Sequence, residues 1–239
     1  MLYLIGLGLN IKGISKEGLE AVKRCKRVYL ENYTVNFPYA LADVIKLIKK
    51  NVKQLERKDV ESLKIIDEAK KMDIALLVYG DPLVATTHLS LIQEAIKCNV
   101  KYQVIHSASI LDGISETGLQ IYKFGKIASM PKWDLSKNFQ PTSFIEIIKE
   151  NKLINAHSLI LIDIDLNFQD ALNQLIVSSK KHNLKINKIL VCQMIGTRKK
   201  KISYKTIEEL KKYYGVKAPY CIVIPSKLHF IEKEFLENL

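Results

Sequence analysis

The chain has 239 residues, 48% of them hydrophobic, enough for one large domain or two small ones with a buried core. No apolar run reaches the ~18 residues that cross a bilayer, and the start Met1-Leu2-Tyr3-Leu4-Ile5 is apolar with no basic lead, so it reads as a first strand, not a signal peptide. The formal charge of +12 is mostly lysine, which suits a solvated surface or attraction to an acidic macromolecule.

In chain order, apolar runs predict strands over residues 2–7, 28–31, 74–79 and 102–106, with helices over 16–25, 39–50, 60–71 and 86–98. The face formed by Leu41, Val44, Ile45 and Ile48 has the i, i+3, i+4, i+7 spacing of an amphipathic helix. After a small-residue connection at 107–124, the rhythm resumes. Strands are expected over 126–130, 159–163, 189–194 and 221–225, and helices over 143–151, 169–181, 206–214 and 229–239. Alternation of this kind argues an α/β chain with mainly parallel sheet. The boundary is placed near Asp112, giving an N-terminal α/β domain with mainly parallel sheet (1–111) and a C-terminal α/β domain (112–239).

Cys25, Cys98, Cys192 and Cys221 are scattered and form no C-x-x-C pair, so they read as reduced apolar fillers in a cytoplasmic protein. The five histidines lack metal spacing, and no metal is expected. The densest basic run, Arg198-Lys199-Lys200-Lys201, has no interleaved aromatics, so direct nucleic-acid binding is not expected.

The most distinctive segment is Gly80-Asp81-Pro82-Leu83-Val84-Ala85-Thr86-Thr87-His88, directly after the apolar run 74–79. It sets a carboxylate, a rigid proline and hydroxyls at a strand's C-terminal end, where open α/β sheets bind ligands. Asp81 reads either as a cap for the following helix or as part of a ligand turn. Gly6-Leu7-Gly8 ends the first strand, but Ile11 stands where a dinucleotide fingerprint needs its third glycine, which disfavours a nicotinamide or flavin. Ser109 lacks a nucleophile elbow, which disfavours a hydrolase, and His106 reads as a satisfied sheet-end histidine. In Thr117-Gly118-Leu119-Gln120-Ile121-Tyr122-Lys123-Phe124-Gly125-Lys126, Phe124 is expected in the core, with Tyr122 and Lys123 facing a cleft.

These segments, with Glu31-Asn32-Tyr33-Thr34, Ile105-His106-Ser107-Ala108-Ser109-Ile110, Leu161-Ile162-Asp163-Ile164 and Ile224-Pro225-Ser226-Lys227-Leu228-His229, closely resemble the diphthine synthase family. These are methyltransferases of the tetrapyrrole methylase fold. The resemblance spans nearly the whole chain. It implies two α/β domains with S-adenosyl-L-methionine in the cleft between them, and a cytoplasmic homodimer with no membrane attachment. The implied reaction is successive N-methylation of the 3-amino-3-carboxypropyl-modified histidine of translation elongation factor 2, giving diphthine. By position, the family's cofactor contacts fall on Leu9, Asp81, Val84, Ser109, Ile110, Ile162, Ile195 and Tyr220. Three departures stand out. Cys192-Gln193-Met194-Ile195-Gly196 lacks the usual arginine, Tyr220 replaces a usual histidine, and Ser226 precedes Lys227 where glycine is usual. The segment between Asp165 and Lys188 is also short for the family.

Transfer from a sulfonium is an in-line displacement, so the protein mainly aligns amine, methyl and sulfur. No residue stands out as a mandatory base. Glu31, Tyr33, Tyr122 and Asp163 are the substrate-side candidates for handling the amine's protons or cradling the growing cation, the tyrosines because aromatic faces attract quaternary ammonium. The competing readings are a tetrapyrrole or ribosomal RNA methyltransferase of the same fold, and a non-catalytic relative that binds the cofactor or the translation factor.

Overall fold

The computed structural model describes residues 1–239. The chain divides into two compact units, Met1–Gly113 and Ile114–Leu239, just beyond the boundary expected after residue 111.

The first unit runs β1 (Leu2–Gly6), α1 (Lys16–Arg24), β2 (Arg27–Glu31), α2 (Leu41–Ile48), β3 (Lys53–Leu55), α3 (Arg57–Glu61), α4 (Lys64–Ala69), β4 (Ile74–Val78), α5 (Leu89–Lys97), β5 (Tyr102–Ile105) and α6 (Ile110–Gly113). Its strands pair in the order β3-β2-β4-β1-β5, all parallel. Alternate side chains serve opposite faces. Leu2, Leu4, Ile74, Leu76 and Val78 pack with α4 and α5, while Tyr3, Ile5, Ala75 and Leu77 pack with α1 and α2. A sheet covered on both faces needs apolar residues at successive positions, hence the unbroken run at 74–78. The Ser15 side chain caps α1 by accepting the Gly18 N–H at 3.0 Å.

The second unit runs β6 (Ala128–Met130), α7 (Ser143–Leu153), β7 (Ser158–Ile162), α8 (Phe168–Lys181), β8 (Lys188–Gln193), β9 (Lys201–Thr206), α9 (Ile207–Lys211), β10 (Tyr220–Ile224) and α10 (Phe230–Glu237). Its sheet order is β6-β7-β10-β8-β9. Only β6–β7 is parallel; β10 runs against both β7 and β8, and β8 and β9 pair antiparallel. The strand–helix rhythm therefore does not continue a parallel sheet here. The reason is β9, which follows β8 without an intervening helix and sends β10 back into the sheet in the opposite sense. Ile160, Ile189, Val191 and Ile222 form this unit's core with Phe144, Ile145 and Ile148 of α7 and Leu172 and Leu175 of α8.

Two expected helices change. The helix expected over 60–71 is broken at Leu63, which takes a left-handed φ of 58° between α3 and α4. The helix expected from residue 86 begins at Leu89, because residues 83–87 form an irregular loop with Ala85 at φ 56°.

Candidate cofactor and substrate site

Parallel pairing brings the exits of β2, β4, β1 and β5 to one edge of the first sheet. Gly8 and Gly80 exchange backbone hydrogen bonds of 3.1 Å there, joining the exits of β1 and β4. Gly6 is glycine because a Cβ would stand 2.6 Å from the Gly80 carbonyl oxygen and 2.9 Å from Ser107 Cβ. The glycines of the first turn thus serve close packing of the protein's own loops.

Asp81 lies in this stitched region, buried at 6% exposure. Its Oδ1 accepts the Leu83 N–H at 2.9 Å, and its Oδ2 accepts from His106 Nδ1 at 2.7 Å and from the Ser107 N–H at 3.3 Å. It does not cap α5, whose N-cap position is His88. Leu9 is buried and its carbonyl accepts the Tyr79 hydroxyl at 3.1 Å. Val84 is half-buried in the loop after Asp81. Ser109 Oγ accepts the Leu111 N–H at 3.1 Å, while Ser109 donates its N–H (2.7 Å) and hydroxyl (2.9 Å) to Asp112, holding that carboxyl below its usual range. Ile110 follows as the first residue of α6. All five expected first-unit contacts thus sit in the loops leaving β1, β4 and β5.

Of the substrate-side candidates, Glu31 needs correction. It is fully buried, and its carboxylate accepts the Tyr33 and Thr34 N–H groups at 2.8 Å each and meets the Thr34 hydroxyl. It builds the turn after β2 and is no free proton acceptor. That turn presents Tyr33, whose phenol is pushed up to about 12 by burial and by the Glu31 carboxylate. Arg57 already lies 5.4 Å from the Tyr33 ring centroid, so the ring holds a cation of the protein's own.

In the second unit, antiparallel register gathers Ile162 at the exit of β7, Tyr220 at the entry of β10 and Ile195 just beyond β8. Ile195 is buried between Met194 (φ 48°) and Gly196 (φ 77°). The Tyr220 hydroxyl donates to the Leu166 carbonyl at 2.8 Å, its ring meets Phe168 edge-on at 5.9 Å, and burial raises its pKa. Asp163 is exposed at the same edge and accepts the Lys132 N–H at 3.1 Å. Tyr122 does not join them. It is 79% exposed, and the next residue, Lys123, accepts the His157 N–H at the opposite end of β7.

Lys123 corrects a further expectation. Its ammonium binds Glu232, a fully buried carboxylate that also accepts the Gln120 N–H (2.9 Å), His157 Nε2–H (3.1 Å) and the His229 N–H (2.7 Å). Burial alone would raise the Glu232 pKa, but the Lys123 ammonium and the other donors bring it down to about 2. His157 accepts the Ser226 N–H on Nδ1 at 3.0 Å and stays neutral, its pKa lowered by burial. The distinctive segments at 117–126 and 224–229 therefore build a closed polar network within the second unit.

The family profile of tetrapyrrole (corrin/porphyrin) methylases matches residues 1–211. A diphthine synthase from Methanocaldococcus jannaschii is 36% identical over 255 aligned positions that cover 100% of this chain and 98% of that protein. The chain belongs to the diphthine synthase family. A diphthine methyl ester synthase from Schizosaccharomyces pombe is 42% identical over 172 positions, 71% of this chain and 60% of that protein. A crystal structure of a diphthine synthase superposes with a TM-score of 0.90 at 33% identity, covering 99% of this chain and 94% of that one.

As a member of the diphthine synthase family of methylases, the enzyme is a methyltransferase and requires a methyl donor. The loops at the first sheet's edge fit a cationic donor. A Cβ built on Gly80 would make ordinary van der Waals contact with the Ala108 oxygen and Ser109 Cα, at 3.8 Å each, so the exit loops of β4 and β5 face each other here. Asp81 places a carboxylate at that contact, Val84 and Ile110 add half-buried apolar side chains, and Leu9 packs beneath. Two buried polar atoms near the strand exits, Tyr39 Oη and His88 Nε2, have no protein partner. No cluster of three or more His, Cys, Asp or Glu side chains is placed to hold a metal, and no helix is long and apolar enough to cross a membrane. The residue missed from sequence is His106. It pairs with Asp81 only because β1 lies between β4 and β5, and nothing local in the sequence signals that order.

Proposed function

We propose that this enzyme uses S-adenosyl-L-methionine to methylate, successively, the amino group of the 3-amino-3-carboxypropyl-modified histidine of translation elongation factor 2, giving diphthine. The observation that carries the reading is the likeness to a diphthine synthase along the whole chain, combined with the buried Asp81 turn at the strand exits. Leu9, Asp81, Val84, Ser109 and Ile110 of the first unit, and Ile162, Ile195 and Tyr220 of the second, are the residues assigned to the cofactor. Tyr220 offers an aromatic ring where the family's histidine would offer charge. When bound, the cofactor supplies an electrophilic methyl group on a sulfonium.

This chain's task is alignment and exclusion of water. The accepting amine reacts in its neutral form, and a dry surround lowers its pKa by disfavouring the ammonium. Tyr33, held by the Glu31 turn, offers an aromatic face to the growing cation, and Asp163 an exposed carboxylate. The reading makes the enzyme a cytoplasmic homodimer, with the translation factor as its protein substrate.

Incubation with labelled cofactor and elongation factor 2 bearing the aminocarboxypropyl-histidine tests this, read by mass spectrometry of the histidine peptide. Successive methyl increments on that peptide are expected. Label in ribosomal RNA or a tetrapyrrole, with none in the factor, would refute it.

A further inference from the structure

The strands β4 and β5 are not neighbours, since β1 runs between them. Their exit loops nevertheless meet, because Gly6 puts no side chain in the way: a Cβ there would lie 2.6 Å from the Gly80 oxygen and 2.9 Å from Ser107 Cβ. Across this gap Asp81 Oδ2 accepts from two groups of the β5 exit, the Ser107 N–H at 3.3 Å and His106 Nδ1 at 2.7 Å, the latter the one bond between two side chains. The two partners differ sharply in exposure, 67% for the His106 side chain and 7% for that of Asp81.

A carboxylate only accepts, so Nδ1 carries the hydrogen, and in the neutral ring Nε2 is left without a protein partner. The other donors to Asp81, the Leu83 and Ser107 N–H groups, are backbone. His106 is therefore the only side chain that fixes the orientation of this carboxylate. An exposed imidazole spent on a buried acid contributes little packing; its effect is on where the acid points.

We propose that His106 is a positioning residue for the methyl donor, acting through Asp81. The inference rests on the assignment of Asp81 to the cofactor. Imidazole donation from the β5 exit locks the Asp81 side chain and leaves its remaining lone pairs in one orientation at the strand exits. Without that donor, the carboxylate must be ordered when the cofactor binds, and the cost appears as lost affinity.

Calorimetric titration of S-adenosylhomocysteine into the parent protein, His106→Ala, His106→Asn, Asp81→Ala and the double variant Asp81→Ala/His106→Ala tests this. His106→Ala should weaken binding about tenfold, the scale of one charge-assisted hydrogen bond. Asn places an amide N–H near the position of Nδ1, so His106→Asn should return to within roughly threefold of the parent. The double variant should bind no more weakly than Asp81→Ala alone, since residues acting as one unit are not additive. Melting temperatures report folding separately. Parent-like affinity in His106→Ala, or additive losses in the double variant, would overturn the proposal. So would His106→Asn with full affinity but no methyl transfer, which would make the imidazole a proton acceptor. A parent that binds no S-adenosylhomocysteine would remove the cofactor assignment itself.

Discussion

The first unit collects its polar side chains at an open edge, and the second closes its own into a network. In the first, every strand runs the same way, so the loops after β2, β4, β1 and β5 share one edge. Asp81, His106 and Ser109 lie there with bonding capacity left over. In the second, the mixed sheet sends chain ends both ways, and Glu232 is saturated by Gln120, Lys123, His157 and His229. A buried carboxylate is thus a poor guide to a site by itself. What separates Asp81 from Glu232 is the side-chain partner: His106 on Asp81 is 67% exposed, whereas Lys123 and His157 on Glu232 are 23% and 0% exposed.

The largest effect expected from this contrast is on stability. Glu232→Ala leaves an ammonium, an imidazole N–H and two backbone N–H groups without their acceptor, and should cost about 3–5 kcal/mol in urea unfolding. The same network predicts acid sensitivity. His157 has a folded pKa below its usual 6.5, so the unfolded chain gains the proton first and stability falls as pH drops through and below that value. Glu232 is depressed from 4.5 to about 2, so its contribution is whole above 4.5 and is lost as pH falls toward 2. Glu232→Gln should flatten the lower part of that profile. If Glu232→Ala unfolds at the parent's urea midpoint, the network contributes nothing and the contrast fails.

Two glycine substitutions separate the strand-exit packing from the surface. Gly6→Ala sets a methyl 2.6 Å from a backbone oxygen that cannot move aside, and should cost about 3 kcal/mol while weakening S-adenosylhomocysteine binding. Gly118→Ala places its methyl against the Phe235 ring, but that ring is 45% exposed and can swing away. The remaining strain at φ +76° should cost about 1–2 kcal/mol. Equal costs from thermal or urea unfolding would show that the strand-exit packing is no tighter than the surface.

The smallest effect concerns charge. Lys200 pairs with Glu116, and the Lys201 ammonium lies 4.9 Å from the Tyr213 ring centroid at the start of β9, so the basic run is partly spent on the fold. Replacing Lys199, Lys200 and Lys201 with glutamine should lower kcat/KM for elongation factor 2 only a few-fold at low salt, with the difference vanishing as salt screens it. A parent-like value at low salt would place docking elsewhere.

Much of the first unit could be read from its sequence because two-sided burial forces continuous apolar strands such as Ile74–Val78. The missed strands had no such signal. β3 is three residues with two exposed, and β9 begins inside a lysine run; both exist through pairing with β2 and β8. The break at Leu63 lacks the glycine or proline that would announce it. At the site, the position of Asp81 followed from the strand–turn pattern, whereas its partner His106 and the structural role of Glu31 depend on strand order and a local turn that no periodicity encodes.

The turn after β4 is the proposed seat of the methyl donor. Titrating S-adenosylhomocysteine and NAD into the parent and Asp81→Ala by calorimetry tests it most directly. Saturable S-adenosylhomocysteine binding by the parent is expected, with no binding of NAD and at least about a tenfold loss in Asp81→Ala, ~1.4 kcal/mol, with the melting temperature kept. Unchanged affinity in Asp81→Ala, or a parent that binds NAD and ignores S-adenosylhomocysteine, would contradict it.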